Sequence, residues 1–261
     1  MRVPIFQVDA FATRLYAGNP AAVMLLDSFL PDAVLQAIAA ENNLSETAFL
    51  VRAGDDYKLR WLTPETEVPL CGHATLASSA VIMERLEPGR KRVVFHTASG
   101  ALTVDRTATG YSMDFPARLS QPTEAPPELR AALGSVPVEV VADKFNYLVL
   151  LETAQVVRDL QPDFVAIARL DRGGVIVTAP GDQGFDFVSR YFAPAKGIDE
   201  DPVTGGAHCA LVPYWARRLG KSSFRAFQAS QRGGEIACRL AGERVALEGT
   251  CVFYMEGVAE I

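Results

Sequence analysis

Arg60-Trp61-Leu62-Thr63-Pro64 returns as Arg190-Tyr191-Phe192-Ala193-Pro194, an offset of 190 − 60 = 130 residues. Working outward, Cys71-Gly72-His73-Ala74 leads into an apolar stretch, and so does Thr204-Gly205-Gly206-Ala207, an offset of 205 − 72 = 133. His96-Thr97-Ala98-Ser99 is answered by Phe227-Gln228-Ala229-Ser230, an offset of 229 − 98 = 131. Each match is short. Their common order and offset, close to half of the 261 residues, predict a duplicated domain. A duplicated pair is expected to hold its ligand in the cleft between the copies.

Composition narrows the function classes. With 49% hydrophobic and 21% charged residues the chain can build a full core. A formal charge of −6 argues against nucleic-acid binding, which wants a basic face. The one basic run, Arg90-Lys91-Arg92, reads as a solvated strand edge. The four cysteines form no CxxC pair and there are three histidines, so local spacing predicts no metal site. Arg2, Asp9 and Arg14 interrupt the amino end, which does not read as a signal peptide. The longest apolar run, Val68 to Met83, is shorter than the roughly 18 to 20 residues a membrane span needs. The expectation is a cytoplasmic protein with no membrane partner.

Val34, Leu35, Ile38 and Ala39 share one face of a helix opened by Pro31 at its first position and ended by Asn42-Asn43. Gly54-Asp55-Asp56 joins two strands, Thr47–Val51 and Tyr57–Thr63. Gly72–Arg85 is apolar nearly all round, the pattern of a buried helix. The second half repeats the plan, with a helix near Pro162–Arg169 and another over Gly205–Leu219 that Pro213 should kink. The fold class is α+β: two similar domains, each a mostly antiparallel sheet rolled around a central helix. The expected boundaries are residues 1–117, a proline-rich linker over 118–137 with one helical turn near Glu128–Leu133, and residues 138–261. The last strand is left free to cross back to the first domain.

Both buried helices begin at glycine-bearing turns. Helix amino ends present free N–H groups and partial positive charge, and glycine lets a ligand approach the backbone. Gly72 and Ala74, with Gly205 and Gly206, are therefore expected to hold a carboxylate or a developing enolate. Glu46, an acid at the start of an apolar strand, is the candidate proton carrier, because a carboxyl held near a core has a raised pKa and both accepts and donates protons. His73 is placed to donate a hydrogen bond, Asp201 to orient an amine or hydroxyl, and His208 reads as structural. Each has a plainer reading as a turn, cap or surface residue.

At these residues the chain resembles the phenazine-biosynthesis PhzF-like family over essentially its full length. The resemblance is carried by Val8-Asp9-Ala10-Phe11, Gly18-Asn19-Pro20-Ala21-Ala22-Val23, Asn43-Leu44-Ser45-Glu46-Thr47-Ala48-Phe49, Leu70-Cys71-Gly72-His73-Ala74-Thr75 and Asp201-Pro202-Val203-Thr204-Gly205. The resemblance implies the diaminopimelate epimerase fold, a homodimer and no cofactor. The family's named member isomerises trans-2,3-dihydro-3-hydroxyanthranilate with one glutamate. That role falls on Glu46, and substrate contacts fall on His73 and Asp201. Where the family commonly has serine after Thr-Gly, this chain has Gly206. The expected activity is a cofactor-independent isomerase moving a proton on a small carboxylate. The alternatives are a non-catalytic carboxylate-binding protein on the same fold, or a two-cysteine racemase using Cys71, against which the duplication aligns Thr204 with Cys71.

Overall fold

The computed structural model describes Met1–Ile261. The chain forms two compact units. The first comprises Met1–Asp114 and Glu248–Ile261, the second Phe115–Leu247.

In the first unit, Arg2–Ala10 runs antiparallel between Asn19–Leu26 and the closing strand Cys251–Glu260. Asn19–Leu26 then pairs parallel with Glu46–Ala53, which pairs antiparallel with Asp56–Leu62. Asp56–Leu62 pairs parallel with Arg92–Thr97, and that strand antiparallel with Gly100–Arg106. The second unit repeats this order of directions: Asn146–Leu150 parallel to Gly174–Pro180, antiparallel to Phe187–Ala193, parallel to Ser223–Gln228, antiparallel to Gly234–Ala241. The sheets are mixed, because each parallel pair needs a crossover and each unit supplies helices for it.

Each unit has one central helix, buried along its whole length in the first unit and up to Trp215 in the second. In Gly72–Val81 every residue after Gly72 is buried. Its polar residues are tolerated because each hydroxyl bonds a carbonyl one turn back: Thr75 to Cys71 (2.6 Å), Ser78 to Ala74 (2.7 Å), Ser79 to Thr75 (2.8 Å). The α-helix stops at Val81 and widens to a π turn over Ile82–Leu86, where a single helix to Arg85 is expected from the sequence. The second unit's Gly205–Leu219 runs unbroken through Pro213. Proline there removes the donor to the Cys209 carbonyl, and the backbone N–H of Arg118 takes that place at 2.8 Å.

Arg118 belongs to the stretch read as a linker. Pro127–Leu133 within that stretch is a helix, and Leu129, Ala132 and Leu133 are buried in the second unit's core with Val149, Val177 and Phe192. The expected helix near Pro162–Arg169 is shorter, Phe164–Ile167, and a separate helix, Ala154–Asp159, precedes it. The helix over Asp32–Asn42 has Pro31 just outside it as the cap and ends on Asn43 in a left-handed conformation (φ 47°), which asparagine accepts.

The three sequence matches are duplicated structural devices. Arg60 grips Glu67 through Nε and Nη2 (2.7 and 2.6 Å), and Arg190 grips Glu200 the same way (2.7 and 2.9 Å). Ser99 donates to the carbonyl of Pro69 at 2.6 Å, and Ser230 to that of Pro202 at 2.7 Å. Both prolines lie three residues before the glycine that starts the buried helix.

Candidate active site

Glu46 opens its strand opposite Ala21 of the parallel neighbour. It is only 8% exposed, and its Oε2 lies 3.1 Å from Nε2 of His73, which is 4% exposed. His73 sits in the first turn of the buried helix, after Cys71 at the cap position. Its Nδ1 faces the side-chain amide of Asn19 at 3.1 Å and Cys71 Sγ at 3.5 Å. Asn19 is fully buried. Its NH2 donates to the ring when the ring is neutral, and its carbonyl can turn to accept when both ring nitrogens carry protons. Gly18 makes this turn possible: its φ is +67°, and a Cβ would lie 2.2 Å from the Ala10 carbonyl. Asn19 is quoted in the sequence only as part of a motif. Nothing local marks it, because it meets His73 through the fold.

Burial opposes a charge on His73. Hydrogen bonds to Cys71 and Glu46, with the Glu46 charge beside the ring, outweigh that, and its pKa lies well above the ordinary histidine range. The Cys71 thiol is itself pushed up to about 11 by burial and by the Glu46 charge. It is therefore protonated near neutrality, and the Glu46 carboxylate is what holds the His73 proton. The ligand atoms of Glu46, Cys71 and His73 all lie within 4.8 Å of one another. A thiol, an imidazole and a carboxylate are donor types that zinc accepts. Local spacing shows no such set, because Glu46 comes from a separate strand.

The second unit arranges the same positions differently. Gly174 opens the strand that corresponds to the Glu46 strand, and a Cβ there would lie 2.4 Å from Tyr191 Oη and 2.6 Å from Asn146 Oδ1. The counterpart of Glu46 thus has no room for a side chain. Thr204 caps the Gly205–Leu219 helix by position, but its side chain makes no cap bond. Its hydroxyl donates instead to Asp201 Oδ2 at 2.6 Å. Gly206 has open space: a Cβ would find nothing nearer than Arg118 Nη1 at 3.7 Å. His208 is fully buried, bonds the Thr204 carbonyl through Nδ1 at 2.8 Å and packs on Phe187, as a structural histidine does. Burial lowers its pKa to about 4, so it is neutral. A cavity of about 310 Å³ in this unit is lined by Arg158, Arg190, Glu200 and Ser230. The two arginines there are already paired, with Asp182 and Glu200, and no site residue expected from the sequence lines it.

Two units of one topology, each wrapped on a buried helix, define the α+β fold of diaminopimelate epimerase. A probable proline racemase from Agrobacterium radiobacter shares that fold with a TM-score of 0.64 at 12% identity, covering 99% of this chain and 92% of that one. The chain belongs to the phenazine biosynthesis-like family, which it matches over residues 8–257. A Pseudomonas aeruginosa protein named as an uncharacterized isomerase is 52% identical over 257 residues, 98% of each chain. The crystal structure of a PhzF-family protein from Enterococcus faecalis superposes with a TM-score of 0.97 at 44% identity, covering 100% of both chains. No helix is long and apolar enough to cross a membrane.

Proposed function

We propose that the protein is a cofactor-independent isomerase that moves a proton on a small carboxylate, with Glu46 as the single acid/base. The observation that carries this reading is the buried Glu46–His73 contact at 3.1 Å, backed by Asn19. An acid that merely decorates a turn sits in water. This one is withdrawn from it and held by a proton donor. The isomerase name of the Pseudomonas aeruginosa relative agrees with this class of reaction.

In this reading the Glu46 carboxylate takes a proton from a carbon next to an activating group. The C–H electrons move into an enolate. His73 fixes one carboxylate oxygen, and the backbone N–H groups at Gly72 and Ala74 hold negative charge on the substrate. Asp201 orients a substrate amine or hydroxyl, and the helix start at Gly205 and Gly206 offers a second set of N–H groups. The neutral Glu46 carboxyl then returns the proton to a different carbon, and the carboxylate is restored.

Neither alternative gains a specific observation. A non-catalytic binding protein would be favoured by a Glu46 open to bulk water. A racemase of the two-thiol kind needs a poised second thiol, but the second unit has Thr204 at the helix cap, and Cys71 is held as the thiol by its raised pKa.

The test is a mass-shift screen of small carboxylic acids in heavy water. Native protein should incorporate deuterium into its substrate. Glu46→Gln should bind the same acid with similar affinity and incorporate none. Undiminished incorporation by that variant would overturn the single-glutamate mechanism.

A further inference from the structure

Threonine at a helix cap normally turns its hydroxyl onto the free N–H groups of the first turn. Thr204 does not. Gln228 supplies the reason. Fully buried at the end of Ser223–Gln228, it accepts the Thr204 backbone N–H on Oε1 at 2.8 Å. Its Nε2 donates to the Asp201 carbonyl at 2.7 Å and to the Thr204 hydroxyl at 3.1 Å. A hydroxyl that receives a hydrogen bond from one side gives its own proton to the other, and here it gives it to Asp201 Oδ2 at 2.6 Å.

We propose that Gln228 is the positioning residue of the second unit's ligand turn: it draws the Thr204 hydroxyl away from the helix start, leaves those N–H groups open to a substrate anion, and aims the Asp201 carboxylate. This rests on the reading above that Asp201 and the Gly205–Gly206 turn contact substrate. Gln228 lies in one of the three sequence matches, where its counterpart is Thr97. Thr97 bonds the Gly100 carbonyl at 2.7 Å. The serine two residues on is a staple in both units, whereas the clasp on the helix-start turn belongs to Gln228 of the second. The first unit puts its chemistry on Glu46 and His73 and needs no such device.

The polarity of one amide is the whole device, so the decisive variant keeps its shape. Gln228→Glu retains an acceptor for the Thr204 N–H and replaces the donor with a second acceptor. The Thr204 hydroxyl should then turn to the introduced carboxylate and release Asp201. Crystals of this variant should show the Thr204–Asp201 bond broken with the surrounding strands unmoved. An Asp201 carboxylate that keeps that bond overturns the proposal, whatever the activity. With trans-2,3-dihydro-3-hydroxyanthranilate as the probe, Gln228→Glu should raise KM about tenfold with kcat little changed, since charge-assisted bonds of this kind are at stake. Thr204→Val should do the same, and the double variant should be no worse than either, because both break one chain of bonds. Additive losses overturn the proposal. A native protein that leaves this probe untouched counts against that substrate alone, and the crystallographic arm then decides on Gln228.

Discussion

Two buried histidines, His73 and His208, lie in the first turns of the two buried helices with opposite electrostatics. Burial lowers the pKa of His208, against an opposing bond to the Thr204 carbonyl, to about 4 from about 6.5 in an unfolded chain. A depressed histidine contributes stability above its unfolded pKa, and the contribution is lost as pH falls through the folded value. At 1.36 kcal/mol per unit this is about 3 kcal/mol. Urea midpoints measured between pH 7 and pH 4 should fall steeply in the native protein and less in His208→Gln. For His73 the sign reverses. Burial is outweighed by Cys71 and Glu46, so its pKa is raised. Its contribution is complete below about pH 6.5 and disappears as pH rises through the folded value. Urea midpoints followed upward from about pH 6.5 should fall in the native protein and less in His73→Gln. Gly206 stands where the family resemblance leads one to expect a serine. The open space there means Gly206→Ser should fold with a thermal midpoint at or slightly above native, since a helix gains from losing a glycine. Any change in substrate affinity in that variant then reports the added hydroxyl.

The two arginine forks look equivalent in sequence and are not equivalent in their surroundings. The Arg60 side chain is 22% exposed and also reaches Asp32. The Arg190 side chain is 10% exposed, and its Nη1 donates to the carbonyls of Val157 and Leu160 at 3.2 and 2.8 Å, closing the end of the Ala154–Asp159 helix. Lysine cannot supply a planar fork and a carbonyl donor together. Arg190→Lys should therefore cost about 2 to 4 kcal/mol by chemical denaturation, and Arg60→Lys about 1 or less. At this scale the sequence is a good guide to the buried helices and a poor one to what surrounds them. Gly72 and Gly205 mark both starts, and Asn43 marks a helix end. What the sequence leaves out depends on partners far along the chain. Pro213 is tolerated because Arg118 answers the orphaned carbonyl, and Pro127–Leu133 is a core helix because Leu129 packs among second-unit strands. Glu46 and His73 are each legible by their motifs, but Asn19 and Gln228 enter only when strands bring them to the turns they hold.

For the molecule as a whole, the repeated order of parallel and antiparallel pairings accounts for the offset near 130 residues, and the chemistry is divided unequally over that repeat. Glu46 occupies a strand start that the second unit fills with Gly174, Tyr191 and Asn146. The second unit is one continuous stretch, Phe115–Leu247, whereas the first is closed by Glu248–Ile261. Cys251–Glu260 pairs along the whole of Arg2–Ala10. Removing Glu248–Ile261 should leave the first unit open to limited proteolysis while fragments within Phe115–Leu247 persist, with cut sites read by mass spectrometry. The same pairing sets an order of events during synthesis. Arg2–Ala10 is made long before its partner Cys251–Glu260 and waits for it until Phe115–Leu247 has been made. The second unit has its strands before then, so the unit begun earlier is completed later, and Glu46 and His73 come to rest in a finished unit only after Cys251–Glu260 is released.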